Sequence, residues 1–199
     1  MEKERLAAFM DAVLAIVMTI LVLELPKPAE VSFSGIWALR SSYFCYILSF
    51  LWLGTMWVNL HNEWNDVTGI STSVVWWGIA VLFTSSWIPY SISIVAMDAE
   101  NAVGQFLYGV SVLLVTFTNV GLSFSLERCH DDEHDAPLKE LIARQRLKLI
   151  PDVTVKLIGI VLTLTVYPRA ISWSVLLTML WMQIPLGTFR KEGLDCQER

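Results

Sequence analysis

Long apolar segments, separated by shorter polar ones, repeat along this 199-residue chain. Each is close to the roughly 20 residues that an α-helix needs to cross the hydrocarbon of a bilayer. We predict six spans, approximately at residues 6–25, 37–61, 71–95, 102–126, 149–168 and 170–189. Pro26 closes the first of them, because proline cannot continue a helix. The pattern therefore predicts an all-α membrane protein with six transmembrane helices, the last two joined by a tight hairpin.

The one long polar segment covers residues 127–148. We treat the chain as a single six-helix domain, residues 1–199, in which this segment forms a cytoplasmic loop. Its second half mixes leucines with basic residues, as an amphipathic helix on a membrane surface does. Its first part, from Cys129 to Asp135, contains metal-binding residue types. Their spacing fits no zinc pattern, so a solvated acidic loop is the favoured interpretation.

Basic residues are unevenly distributed between the two sides that six spans define. With an even number of spans the termini share a side, and most lysines and arginines fall there. The other side holds only Lys27, Arg40 and Arg169. Since Lys and Arg favour cytoplasmic loops, we expect both termini in the cytoplasm and a multi-pass protein in the cell membrane.

Composition removes several classes of function. Charged residues make up 17% of the chain and mean hydropathy is +0.55, whereas soluble domains carry roughly a quarter charged residues. No basic stripe for nucleic acid, glycine-rich phosphate loop or enzyme motif occurs, and we expect neither a cofactor nor an enzyme. Three scattered cysteines, Cys45, Cys129 and Cys196, suggest free thiols.

The first span contains one hydroxyl among large aliphatic residues. At about 100° per residue, Ile16, Thr19 and Leu23 lie on one stripe, which Phe9 and Ala12 extend. Two interpretations of Thr19 stay open: its hydroxyl bonds back to its own helix, or it supplies a polar group to a partner. Glu24, at the end of this span, is either a solvated helix end or a group that concentrates cations.

Asp11 lies on a different side of the same helix. An acid within a membrane helix is costly unless it is paired or faces protein or water. Candidate partners are Arg5 and, at the end of the second span, His61. We favour a structural role for Asp11, pinning helices together, over direct contact with an ion.

The segment RLAAFMDAVLAIVMTILVLEL, residues 5–25, resembles the first helix of the transmembrane protein 175 family of potassium channels. That helix is marked by Arg, three residues, Phe-Ser-Asp, and a Leu-Glu-Leu end. The matching residues are Arg5, Phe9, Asp11, Ala12, Val13, Ile16, Thr19, Leu23 and Glu24. Met10 replaces the serine of the motif. The six-span pattern is consistent with this family over the whole chain.

The resemblance implies a passive, potassium-selective or potassium-preferring channel. Single-unit members of the family form homotetramers, and the first helix of each subunit lines the pore. Ile16 would form the tightest hydrophobic ring and gate, Thr19 a polar ring, and Leu23 another apolar ring, with permeating potassium as the only metal. A network holding the pore helix would comprise Arg5, Phe9, Asp11 and His61. No carbonyl-filter sequence occurs, so selectivity would come from these side-chain rings.

Two alternatives remain beside the channel. A secondary transporter would cycle protons on Asp11 or Glu24, although we find no repeat between the halves of the chain. A structural membrane protein without transport would leave the stripe of Ile16, Thr19 and Leu23 as ordinary helix packing.

Overall fold

The described part of the chain is helical throughout. A computed structural model of the protein describes residues 2–65, 67, 69–129 and 136–183, and of Asn65, residues 136–148 and Gln183 it describes the backbone alone. The helices, in chain order, are α1 (Lys3–Ile20), α2 (Phe33–Ala38), α3 (Arg40–Asn65), α4 (Thr72–Ser85), α5 (Trp87–Met97), α6 (Ala102–Glu127), α7 (Ala136–Thr165) and α8 (Ala170–Gln183).

The first helix ends five residues earlier than the hydrophobic pattern predicts. Regular helix stops at Ile20 and the chain continues in turns to Leu25, whose N–H donates to the carbonyl of Val22 at 3.3 Å. Proline explains this ending. Pro26 has no N–H to offer that carbonyl in the helical i to i−4 pattern, so the preceding residue donates instead in a tighter turn.

The third predicted span is divided in two. α4 ends at Ser85 and α5 begins at Trp87, with a turn at Ser86 between them. Pro89 accounts for the break, because its ring clashes with the carbonyl four residues earlier, that of Ser85, and removes that carbonyl's helical donor. The pair still forms one apolar stretch, Thr72–Met97.

The helix α6 is the centre of the bundle. It packs against α3, α4, α5, α7 and α8. Polar pairs join it to its neighbours: Tyr108 to Ser49 on α3 at 2.9 Å, and Thr118 to Thr84 on α4 at 2.9 Å. Such hydrogen bonds hold membrane helices together where lipid offers no hydrophobic driving force. Thr84, a mid-span polar residue in the sequence, therefore serves helix contact.

The last two helices form the expected tight hairpin. α7 ends at Thr165 and α8 begins at Ala170. Between them the N–H groups of Val166 and Tyr167 both donate to the carbonyl of Leu162 at 2.9 Å. At the other end, α7 begins at Ala136, so residues 136–148 of the predicted polar loop are helical and continuous with the fifth span. Residues 130–135 and 184–199 lie outside the described residues.

Within the described residues, three helical stretches are long and apolar enough to cross a membrane. They are Arg40–Trp64, Thr72–Met97 and Ala102–Glu127. A shorter apolar helix covers Ala170–Met182. These stretches agree with a multi-pass membrane protein, while the count of six spans stays a prediction.

Candidate functional site on the first helix

The first helix has two apolar faces with opposite environments. Its buried face packs against α3, α4 and α5 and consists of Leu6, Met10, Leu14, Val17 and Leu21. The other face includes the predicted stripe, and its large side chains are exposed, Phe9 by 53%, Ile16 by 57% and Leu23 by 77%. Ala12 and Thr19 on the same face are exposed too. An apolar face with no cover inside its own subunit is available to lipid, to another subunit or to a pore.

Asp11 is fixed by an aromatic residue that the sequence did not single out. The indole Nε1 of Trp57, on α3, donates to the carboxylate of Asp11 at 2.8 Å. His61, an expected partner, lies one turn further along α3 and contacts the Trp57 ring, with ring centroids 5.6 Å apart. The structure thus brings Asp11 and His61 into one cluster through Trp57.

Arg5 stands apart from this cluster. Its side chain is exposed in the first turn of α1, and no hydrogen bond or ion pair joins it to another residue of the described ranges. A different cation fixes the start of the helix: the Nζ of Lys3 donates to the carbonyl of Val67, in the segment after α3. Asp11 and Lys3 therefore each tie α1 to the region of α3 in this subunit.

Thr19 bonds to its own helix. Its hydroxyl donates to the carbonyl of Ile16 at 2.9 Å. The donor of the hydroxyl is thereby used, but the oxygen keeps lone pairs that point away from the backbone. The back-bonded geometry is consequently compatible with an oxygen that accepts from water or coordinates a cation on the exposed face.

Leu23 lies beyond the end of α1, whereas Met10 lies on its buried face. Leu23 is in the turns after α1, and its N–H donates to the carbonyl of Ile20 at 2.9 Å. Met10, which replaces the motif serine, is buried against α4, where its sulfur lies 3.0 Å from the position that a Cβ on Gly78 would take. Met10 therefore fills the contact between α1 and α4 and does not reach the exposed face.

A buried ion pair lies away from the first helix and was not predicted. Lys156 and Asp152, on α7, are joined at 2.7 Å and are 2% and 4% exposed. The Lys156 ammonium also donates to Thr116 on α6 at 3.0 Å and lies 5.4 Å from the ring centre of Trp52 on α3. Its sequence signal was the spacing of four residues between opposite charges in an otherwise apolar span.

Metal-binding groups are not assembled in the described ranges. No group of three His, Cys, Asp or Glu side chains there could hold an ion. Cys45 and Cys129 are free thiols, as expected, and Cys196 lies outside the described residues. Of the segment Cys129–Asp135, the structure describes only Cys129.

Comparison with known proteins gives concordant results. The family model described as "Endosomal/lysosomal potassium channel TMEM175" matches residues 5–89. A protein of Chryseobacterium sp. named as a potassium channel is 30% identical over 185 residues, covering 92% of this chain and 93% of the relative. Another potassium channel, from Streptomyces collinus, is 29% identical over 68% of this chain and 71% of its own.

The same fold occurs in a solved structure. The crystal structure of a Chamaesiphon minutus homolog of the lysosomal potassium-selective channel TMEM175 has a TM-score of 0.75 to this chain. It is 20% identical, and the similarity covers 90% of this chain and 96% of the other. The helix arrangement described above is therefore the fold of that solved structure.

Proposed function

The chain belongs to the TMEM175 family of potassium channels, and from this premise we propose that four copies surround a pore lined by α1. The family is one of ion channels and not of enzymes. In the proposal, potassium crosses passively and the narrowest point is a ring of four Ile16 side chains. The permeant ion is taken from the names of the relatives, all of which are called potassium channels.

The observation that carries the proposal is the uncovered face of α1. A helix that faced lipid there would expose a hydroxyl, Thr19, and lie beside the exposed carboxylate of Asp11. Charges and polar groups are costly against hydrocarbon and are usually turned to protein or water. Four such faces, turned to one another around an axis, would remove this cost. They would also cover Phe9, Ile16 and Leu23 from lipid.

Ile16 supports a hydrophobic gate at the middle of this face. A ring of four aliphatic side chains offers a cation no polar replacement for its water, and a narrow apolar constriction can close by dewetting. Small outward movements of α1 would widen and rewet it. Leu23, on the same face, would form a second apolar ring beyond it.

Thr19 supports the polar ring next to the gate. Its hydroxyl hydrogen is directed to the carbonyl of Ile16, so the oxygen presents lone pairs and no proton to the exposed side. Four oxygens held in this way would replace part of the hydration of a cation. Asp11 would stay off the axis, because its carboxylate is bonded to Trp57.

The test is ion flux through purified protein in liposomes with a potassium gradient. Ile16→Asn keeps a similar size and supplies amide dipoles, so we expect larger flux and weaker discrimination of potassium from sodium. The matched control is Ile158→Asn on α7, since Ile158 is exposed to a similar extent, 53% against 57%. It should leave flux unchanged.

Thr19→Val tests the role of the Thr19 ring separately from that of the Ile16 ring. It removes four oxygens at nearly constant shape, so selectivity should change more than total flux. Thr165→Val is the control, because Thr165 is likewise exposed and bonded to its own helix, at 2.8 Å. If Ile16→Asn and Ile158→Asn behave alike, α1 does not line the pore. Saturable uptake coupled to protons would indicate the transporter, and absence of flux the structural protein.

A further inference from the structure

A second polar site lies at the end of the bundle where α3, α6 and α8 begin. A cavity of about 200 Å³ opens there. That volume is several times the roughly 30 Å³ that one water occupies in the liquid. Its wall includes Arg40, Gln105, Arg169, Ser172 and Trp173. None of these residues belongs to α1, so the cavity is separate from the proposed pore.

Positive charge is concentrated in this cavity. The side of the membrane that the sequence predicts to be outside holds only three basic residues, and two of them, Arg40 and Arg169, line the cavity. Among the described residues one carboxylate pairs with them, that of Glu100, which lies 2.6 Å from Arg169. A second carboxylate, that of Asp98, accepts from the N–H of Glu100 at 3.0 Å and adjoins the lining residue Ala99. Arg40 has only a long hydrogen bond, 3.4 Å, to the carbonyl of Trp37. In the described part of the chain Arg40 therefore forms no ion pair, and its guanidinium is available to an anion.

The polar wall of the cavity consists of buried side chains held by hydrogen bonds. Gln105 and Ser172 are fully buried, and the Ser172 hydroxyl donates to the Gln105 carbonyl oxygen at 3.0 Å. The amide of Gln105 donates in turn to the carbonyl of Ala99 at 3.0 Å. These bonds fix the wall. The Nε of Arg169 is buried and has no hydrogen-bond partner in the described part of the chain, a costly arrangement unless a ligand or water accepts from it.

The helix ends add to the positive potential. Arg40 is the first residue of α3, Gln105 is in the first turn of α6, and Ser172 is in the first turn of α8. Each helix N-terminus carries a partial positive charge from aligned peptide dipoles. The start of α3 directly follows the end of α2, which offsets its partial charge. The starts of α6 and α8, together with two guanidinium groups, favour an anion over a cation or a neutral ligand.

We propose that this cavity binds a phosphate group, as a phosphate ester or as free phosphate. Guanidinium groups match the geometry of phosphate oxygens and bind them with paired hydrogen bonds. The aromatic edge of the cavity suits an ester that lies at the membrane interface, because Phe44 and Trp173 contact each other there with centroids 5.3 Å apart and Trp favours that depth. The two sources of such a group, a lipid headgroup and dissolved phosphate, share this chemistry.

The experiment measures binding to the purified full-length protein in neutral detergent, by native mass spectrometry and by the shift of the thermal unfolding midpoint. The probes are inorganic phosphate against chloride at equal ionic strength, and dioctanoyl phosphatidylglycerol against dioctanoylglycerol, which lacks the phosphate. We expect saturable binding of a phosphate-bearing probe. Arg40→Gln and Arg169→Gln should each weaken it about tenfold or more, as loss of a charge-assisted bond does.

Two further variants distinguish a loss of binding from a loss of folding. Lys27→Gln removes the third basic residue of that side, which does not line the cavity, and should leave binding unchanged. Glu100→Gln removes the competing carboxylate and should tighten binding.

The results distinguish a lipid headgroup from dissolved phosphate as the ligand, or they show that the cavity binds neither. Arginine-dependent binding of inorganic phosphate identifies free phosphate as a sufficient ligand, whereas binding of phosphatidylglycerol alone identifies a lipid headgroup. The proposal is overturned if neither probe saturates, if Lys27→Gln weakens binding as much as Arg40→Gln, or if Glu100→Gln loosens it.

Discussion

Asp11 is held to α3 by one side-chain bond, from the indole of Trp57. We predict that Trp57→Phe destabilises the protein by roughly 1–2 kcal/mol, because it removes one hydrogen bond to a charged group near the surface. The measurement is thermal unfolding in detergent. Trp76→Phe is the control, since Trp76 is exposed by 67% and lies on another helix.

A variant of Asp11 that keeps this hydrogen bond distinguishes a structural role of Asp11 from direct contact with an ion. Asp11→Asn keeps an oxygen that can accept from Trp57, so its loss of stability should be smaller than that of Trp57→Phe. Potassium preference should remain in any Asp11→Asn protein that assembles. A stable Asp11→Asn channel with altered selectivity would contradict the structural role.

At the residue scale, the sequence predicted the stripe of side chains on the first helix, but it did not predict which residue of another helix contacts Asp11. The stripe of Ile16, Thr19 and Leu23 follows from helical spacing, and all three residues are exposed in the structure, although Leu23 lies in the turns after α1. The partner of Asp11 could not be found in this way. Trp57 is 46 positions away. The acceptor of an indole N–H in an apolar span cannot be predicted before the packing of the two helices is known.

At the scale of elements, α7 is joined to α6 by the buried Lys156 ammonium. We predict that Lys156→Met costs about 3–5 kcal/mol, because it leaves the carboxylate of Asp152 buried without its partner. The double variant Lys156→Met with Asp152→Leu should recover much of this loss, since no lone charge remains. Unfolding midpoints of the single and double variants check it; equal losses in both would contradict the ion-pair explanation.

Close packing of α4 on α6 depends on a glycine. A Cβ on Gly121 would lie 2.5 Å from the Trp77 ring, so the ring or the helix must shift. We predict that Gly121→Ala destabilises by about 1–3 kcal/mol. Gly54→Ala is the matched control, because its Cβ would make an ordinary contact of 3.5 Å with Met18. It should be neutral or stabilising by up to about 1 kcal/mol. Equal destabilisation by both would refute the steric explanation.

The predicted positions of the helices lie within about five residues of the observed ones except at the start of α7, which begins at Ala136 and not near residue 149. The hydrophobic pattern gave every long helix in the described ranges, but it overlooked the end of α1 before Pro26 and the break that Pro89 causes at Ser86. Hydropathy averages over a window and cannot register a single missing N–H. The proline rule accounts for the turn before Pro26 and for the break before Pro89, but it does not separate them from Pro151, which lies inside an unbroken α7.

At the scale of the whole molecule, the proposed tetramer brings four copies of the exposed face of α1 together. We predict that Leu23→Cys, in a background without the three native cysteines, crosslinks between subunits under mild oxidation, because four copies of this position would surround one axis. Gel electrophoresis under non-reducing conditions measures it. Leu177→Cys on α8, at a leucine that is exposed by 61%, should stay uncrosslinked. Exclusive crosslinking of Leu177→Cys would place α8, and not α1, at the centre.

The two faces of α1 also bear on how such chains diverge. Substitutions on the side of Leu6, Met10 and Leu14 meet neighbours in the same subunit, so each must be matched by a change elsewhere, as Met10 is matched by the missing side chain of Gly78. Substitutions on the side of Phe9, Ile16 and Thr19 meet no packed neighbour in the described part of the same subunit; in the proposed tetramer they would meet the pore and the other subunits instead. A change on one side of this helix therefore tests the fold of a single subunit, whereas a change on the other side tests the proposed assembly and its pore.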